Sequence, residues 1–219
     1  MTRNDEAIAS APGCRARGSR SRARLIEAAY DLLGDEGFRA FSARRVAHKA
    51  GLKPQLVHYY FRSMEELVVA VFRRSSARYF RLHDEALSSR HPLRALWALN
   101  SNLPEGKRMT EYVALGKVYP ALREEMRQTG ESFRRLQTET MERIYAERGF
   151  NRDVLIGPSG MVLLMSAVAR NFVIEGEAGV VQGHAEVQEL IERLLDHFDP
   201  IDARNDGEPA SSPPAVRHY

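Results

Sequence analysis

The stretch Ser42-Ala43-Arg44-Arg45-Val46-Ala47-His48-Lys49-Ala50-Gly51-Leu52-Lys53-Pro54-Gln55-Leu56-Val57-His58-Tyr59-Tyr60-Phe61-Arg62 reads as two short helices joined by a tight turn. Ser42 stands just ahead of Val46, Ala47 and Ala50, where its hydroxyl can accept from an otherwise orphaned amide and start the first helix. Gly51 stops that helix, because glycine takes the left-handed conformation without a Cβ penalty. Pro54 restarts the chain at a first helical position, where its missing N–H is not needed, and Leu52 can staple onto Val57. A second helix is thus predicted over residues 54–60. On it Gln55, His58, Tyr59 and Arg62 fall at i, i+3, i+4 and i+7, while Val57 and Phe61 take another side and can pack inward. Such a polar flank suits a major groove: Gln pairs bidentately with adenine, and His, Tyr and Arg bond base edges or phosphates.

The wider run from Arg20 to Leu67 contains Ala50-Gly51-Leu52 and then His58-Tyr59-Tyr60-Phe61-Arg62-Ser63-Met64-Glu65-Glu66-Leu67. It resembles the DNA-binding domain of the tetracycline-repressor-like (TetR) family. The resemblance implies an all-α homodimer that reads palindromic operators. In it an N-terminal three-helix helix-turn-helix domain is linked by a long helix to a C-terminal helical ligand-binding and dimerisation domain. It also implies roles within the reader: Gln55 and His58 touch bases, Arg44 reaches the groove from the preceding helix, and Ser42, Lys53, Tyr59, Tyr60 and Arg62 mostly hold phosphates. Met64 occupies a slot where the family often keeps a phosphate-gripping lysine, which leaves that contact to Arg62 or Lys53.

Charge agrees with a polyanionic partner at this end. The chain of 219 residues carries a net charge of only +3, yet residues 15–62 hold eleven Lys and Arg against four Asp and Glu, about +7, leaving about −4 elsewhere. Phosphate neutralisation by such a patch supplies salt-sensitive affinity. With 43% hydrophobic and 28% charged residues, the composition is that of an ordinary globular chain with a sizeable core. The single cysteine, Cys14, excludes an internal disulfide. No signal-peptide core or membrane-length apolar run stands out, so a cytoplasmic protein without a membrane partner is expected.

Residues 1–19 mix Ala, Ser, Gly, Pro and Arg without apolar periodicity and are expected to form a disordered basic arm. Arg15, Arg17 and Arg20 in it could still follow DNA. The DNA-binding domain is expected over 20–66, an effector-binding and dimerisation domain over 67–199, and a disordered, proline-rich tail over 200–219. A first helix follows from Arg22, Leu25, Ile26, Ala29, Leu32 and Leu33, with Gly37 as its stop. Ser63, with Glu66 three residues on, begins a long helix to about Leu87 by a capping box. Further helices are predicted at roughly 92–102, 106–117, 119–148, 157–176 and 183–198, separated by proline and glycine breaks.

The seven histidines show no metal-ligand spacing, and neither a phosphate-binding glycine loop nor a nucleophile elbow occurs, so no metal, cofactor or enzymatic activity is expected. In the regions where the family keeps its pocket, Trp97, Met109, Tyr112, Tyr119, Phe133, Met161 and Met165 supply bulky apolar surface for a small hydrophobic effector. The helix at 157–176 is apolar nearly all round and needs burial on more than one side. The resemblance assigns that burial to a two-fold mate, through Val168, Phe172, Leu190, Ile191, Leu194 and Leu195. The reading that follows is a dimeric transcriptional repressor released from a palindromic operator by its effector. Its rivals are an activator or co-repressor-dependent regulator of the same fold, and a helical small-molecule-binding protein or enzyme with an incidental basic end.

Overall fold

A computed structural model describes residues 12–101, 103–149 and 156–201, and among them every regular element is helical. In chain order these are α1 (Pro12–Glu36), a 3-10 turn (Phe38–Ala40), α2 (Ala43–Lys49), α3 (Gln55–Tyr60) and α4 (Met64–Leu87). They continue with α5 (Pro92–Asn100), α6 (Leu103–Gly116), α7 (Pro120–Arg148), α8 (Pro158–Glu177) and α9 (His184–Phe198). The all-α expectation holds. No helix among the described residues is long and apolar enough to cross a membrane.

The local signals act as their chemistry dictates. Ser42 Oγ accepts from Arg45 N at 3.4 Å and opens α2. Gly51 sits at φ 62°, and the chain folds back there with Leu52 N donating to Ala47 O at 2.9 Å. Pro54, expected at the first helical position, instead occupies the cap position just ahead of α3. Ser63 Oγ accepts from Glu66 N at 3.1 Å to start α4. The Glu66 carboxylate turns back to Arg62 N at 2.8 Å, one residue earlier than the reciprocal bond of a capping box.

Two boundaries differ from those expected. Residues 12–19, expected in a disordered arm, form the opening turns of α1; residues 1–11 lie outside the described residues. α6 runs through Pro104 to Gly106, where a break was expected, because a proline in the first helical turn removes an N–H that has no partner there anyway. The tail from 202 onward lies outside the described residues.

Two apolar cores organise the chain. The first joins Leu25, Leu32 and Leu33 of α1, Val46 and Val57, and Leu67, Val68, Val71 and Phe72 of α4 to Tyr112, Leu115 and Leu122 of α6 and α7. It therefore does not end at residue 66. The second gathers Leu93, Trp97, Met141, Tyr145, Met161, Val162, Ile191, Leu195 and Phe198. Asp199, buried just past α9, closes this half: its Oδ2 accepts from Leu93 N at 3.0 Å and Arg94 N at 3.1 Å, capping α5 from more than a hundred residues away.

Candidate nucleic-acid interface

α3 is six residues long and stands on two anchors, Val57 and Phe61, each 1% exposed within the first core. That anchoring turns the opposite flank outward. Gln55, His58 and Arg62 are exposed, and Tyr59 is 77% exposed. Tyr60 is half-buried, its ring edge-on to Tyr59 at 4.9 Å. Ser42, Arg44 and Lys53 are exposed on the elements that precede α3. An exposed aromatic beside hydrogen-bonding side chains on a rigid support is a surface with unspent binding capacity.

Cations near this flank divide into two groups. Arg45 pairs with Glu36, and Lys49 Nζ lies 2.6 Å from Asp35 Oδ2, so both brace α2 against the end of α1. Donating to the Asp35 carboxylate holds the Lys49 ammonium above its ordinary range. Arg44, one residue ahead of Arg45, stays exposed, as do Lys53 and Arg62. Met64 is half-buried against the first core, as an apolar residue at the head of α4 must be.

Two arginines of α1 position the reader, and the sequence reading had no signal for either role. Arg24 Nη2 donates to the Ala50 carbonyl at 2.6 Å, across the turn between α2 and α3. A Cβ on Gly51 would stand 3.2 Å from that same Nη2, so glycine serves the turn through space as well as through φ. Arg22 lies over the Phe61 ring at 4.9 Å, a cation–π contact that pins the far end of α3.

The pocket expected from Trp97, Met109, Tyr112, Tyr119, Phe133, Met161 and Met165 is not one site. Met161 and Met165 line a cavity of about 20 Å³ with Leu93, Met141, Tyr145, Ile191, Leu194, Leu195 and Phe198. Trp97 is buried in the same core. Tyr112 and Tyr119 belong to the first core, Met109 is 43% exposed, and Phe133 stacks on Phe80 at 3.8 Å between α4 and α7. Each of these bulky residues went where the face of its own helix put it: Tyr112 and Tyr119 to the first core, Trp97, Met161 and Met165 to the second, Phe133 to the α4–α7 contact, and Met109 to the surface.

The expected dimer residues divide as well. Ile191 and Leu195 are buried at 6% and 3% inside the chain's own second core, because that stripe of α9 faces inward. Val168, Phe172 and Leu194 are half-buried, and Leu190 is 47% exposed. α8 buries Met161, Val162, Ala169 and Val173 yet leaves Leu163, Leu164 and Ile174 about half exposed. Beside Phe172, an open cleft of about 450 Å³ carries Asn171, Glu175 and His184. His184 stacks on Phe172 at 4.5 Å and bonds Glu175 at 2.7 Å, which holds that carboxyl below its ordinary range.

Comparison with known proteins supplies the chemistry that this geometry suits. Residues 25–71 match the family model for bacterial regulatory proteins of the tetR family. The HTH-type transcriptional regulator BetI of Rhizobium meliloti (strain 1021) is 41% identical over 49 residues, 22% of this chain and 24% of that protein. BetI of Brucella anthropi is 36% identical over 52 residues, 24% of this chain and 27% of the other. The chain thus spans about a quarter of the length of the curated relatives it matches. Among solved structures, a transcriptional regulator from Saccharomonospora viridis in complex with choline superposes with a TM-score of 0.66 at 19% identity, over 82% of this chain and 95% of that one. The fatty acid degradation regulator FadR from Bacillus halodurans superposes at 0.59 and 16% identity, over 80% and 94%. At such identities the structural likeness speaks to the fold alone.

Proposed function

From a reader segment that belongs to the tetR family of bacterial regulatory proteins, we propose that this chain is a sequence-specific DNA-binding transcriptional regulator that works as a homodimer. The observation that carries the reading is the exposed flank Gln55, His58 and Tyr59 of α3, with Arg62 exposed in the bend just past its end, on a helix anchored from the other side by Val57 and Phe61. In the proposed complex α3 enters the major groove, Gln55 and His58 meet base edges, and Arg44 approaches from α2. Ser42, Lys53, Tyr59, Tyr60 and Arg62 set the register through phosphates.

The two-fold mate docks on the outward apolar surface of α8 and α9, around Leu163, Leu164, Ile174 and Leu190. A small hydrophobic effector acts as inducer and enters between α5, α7, α8 and α9, where Met161 and Met165 line the existing cavity. That cavity is far smaller than the roughly 300 Å³ or more of a ligand site, so the effector has to part these helices. A ligand that favours the opened state shifts the population away from the half-site spacing that fits DNA.

Selection of bound duplexes from a random pool, followed by titration of the enriched sequence, tests the reading. An enriched inverted repeat bound by the wild type is expected. Gln55→Ala is expected to lose roughly 1–3 kcal/mol of discrimination at one base position per half-site. Recovery of no enriched duplex, or unchanged discrimination in Gln55→Ala, overturns it.

A further inference from the structure

Residues 12–24 form the first half of α1, and they break the rules that ordinarily make a helix. The segment Pro12-Gly13-Cys14-Arg15-Ala16-Arg17-Gly18-Ser19-Arg20-Ser21-Arg22-Ala23-Arg24 contains no large apolar residue, and from Gly18 onward burial in the core begins at Leu25. It contains two glycines and two serines, which are poor interior residues for a helix. It also sets five arginines at the N-terminal, positive end of the helix dipole, where cations are unfavourable. Within α1 no Asp or Glu precedes Glu27, and Glu27 is engaged by Arg74. A helix that disobeys propensity, dipole and charge rules together marks a place where something outside the chain completes the balance.

Its direction says what that partner is. Arg22 and Arg24 are occupied with Phe61 and Ala50, which ties the segment to the reader. One turn earlier, a Cβ on Gly18 would lie 3.6 Å from Tyr60 Oη, so the helix passes the end of α3 within van der Waals contact. Arg20 is exposed, and Arg15 and Arg17 lie further along the same rod, which extends roughly 20 Å beyond the core at 1.5 Å per residue.

We propose that the first turns of α1 are a helical basic arm that lies along the duplex beside the half-site read by α3. Arg15, Arg17 and Arg20 there neutralise phosphates without reading bases. The arm rests on the DNA-binding reading above and adds a contact that the reader alone lacks. Neutralising a phosphate releases its condensed counterion, and each such contact adds about 0.9 to the slope of log affinity against log salt.

The test compares the full-length wild type with the triple variant R15Q/R17Q/R20Q on the selected duplex across a salt series. A variant slope shallower by roughly 2–3 for each bound protomer is expected, with base preferences unchanged. Because residues 15, 17 and 20 lie ahead of the first core residue, the thermal unfolding midpoint should not move. Equal slopes, or a changed base preference in the variant, overturn the arm while leaving the reader intact. If the wild type selects no duplex, the reader and the arm fall together. A slope change seen equally with single-stranded RNA or anionic vesicles assigns the arm to polyanions in general and also overturns it.

Discussion

His83 shows how a single side chain can set a condition on the whole fold. It lies on α4 at 1% exposure, with Nε2 buried and no hydrogen-bond partner, against the Phe133 ring at 5.5 Å and near Tyr79 at 6.4 Å. Burial pushes its pKa below the ordinary 6.5, and the neighbouring Asp84 carboxylate opposes that only in part. In the unfolded chain the imidazole takes a proton as pH falls through 6.5, whereas the folded site resists it. The unfolded state then binds more protons, so stability is full above this range and declines as pH drops below it. Urea unfolding at a series of pH values from 7.5 downward should show the wild type weakening relative to His83→Leu, with the gap opening below 6.5. Parallel curves for the two proteins at every pH would place the acid sensitivity elsewhere.

Among elements, α6 touches both halves, as α7 does through Leu122 and Met141. Its Glu111 Oε2 accepts from Phe38 N at 2.7 Å, at the 3-10 turn that leads into Ser42 and α2. One turn earlier Arg108 lies over the Tyr30 ring at 4.4 Å, with Arg74 on the ring at 4.1 Å. The approach is close because Gly34 has no side chain: a Cβ there would meet Arg108 Nε at 2.8 Å. On its other side α6 meets α8, where a Cβ on Gly106 would come within 2.7 Å of Val173 Cγ1. A displacement of α8 therefore reaches the reader through α6 by contact. Replacing Glu111 with Ala should cost about 1 kcal/mol in urea unfolding, as one partly exposed hydrogen bond, and should also weaken duplex binding by freeing the 3-10 turn. Lost stability with unchanged affinity would reduce α6 to a strut. The reach of each interaction explains what was legible beforehand. Ser42, Gly51 and Ser63 act within a few residues of themselves, so residue type and spacing disclose them. Glu111 to Phe38, Asp199 to Leu93 and Arg24 to Ala50 span 73, 106 and 26 positions, and nothing local marks an exposed-looking charge as one end of such a bond. The residues expected to line one pocket are dispersed for the same reason. Tyr112 and Met161 look alike as bulky apolar residues, but the packing of their helices sends them to different cores.

For the whole molecule the open question is what covers α8 and α9. A single chain leaves Leu164 and Leu190 about half exposed, at 49% and 47%, together with Leu163 and Ile174. Apolar surface of this extent carries a standing cost in water of roughly 25 cal/mol for each Å², which a second copy removes from both chains at once. In the proposed dimer the same pairing would extend DNA reading, because two α3 helices joined rigidly could meet major grooves about one turn, ~34 Å, apart and bind as one unit. Leu164→Glu with Leu190→Glu separates these roles. Both positions already face water in the single chain, so the fold should tolerate the charges, whereas two carboxylates buried on each side of an interface should not be tolerated. Sedimentation at micromolar concentration is expected to show a dimer for the wild type and a monomer for the double variant. The monomer, with Gln55 and His58 untouched, should still bind a half-site weakly but lose the preference for the inverted repeat. A double variant that remains dimeric would move the interface off this face, and a monomeric wild type that still prefers the inverted repeat would mean that the operator itself assembles the pair.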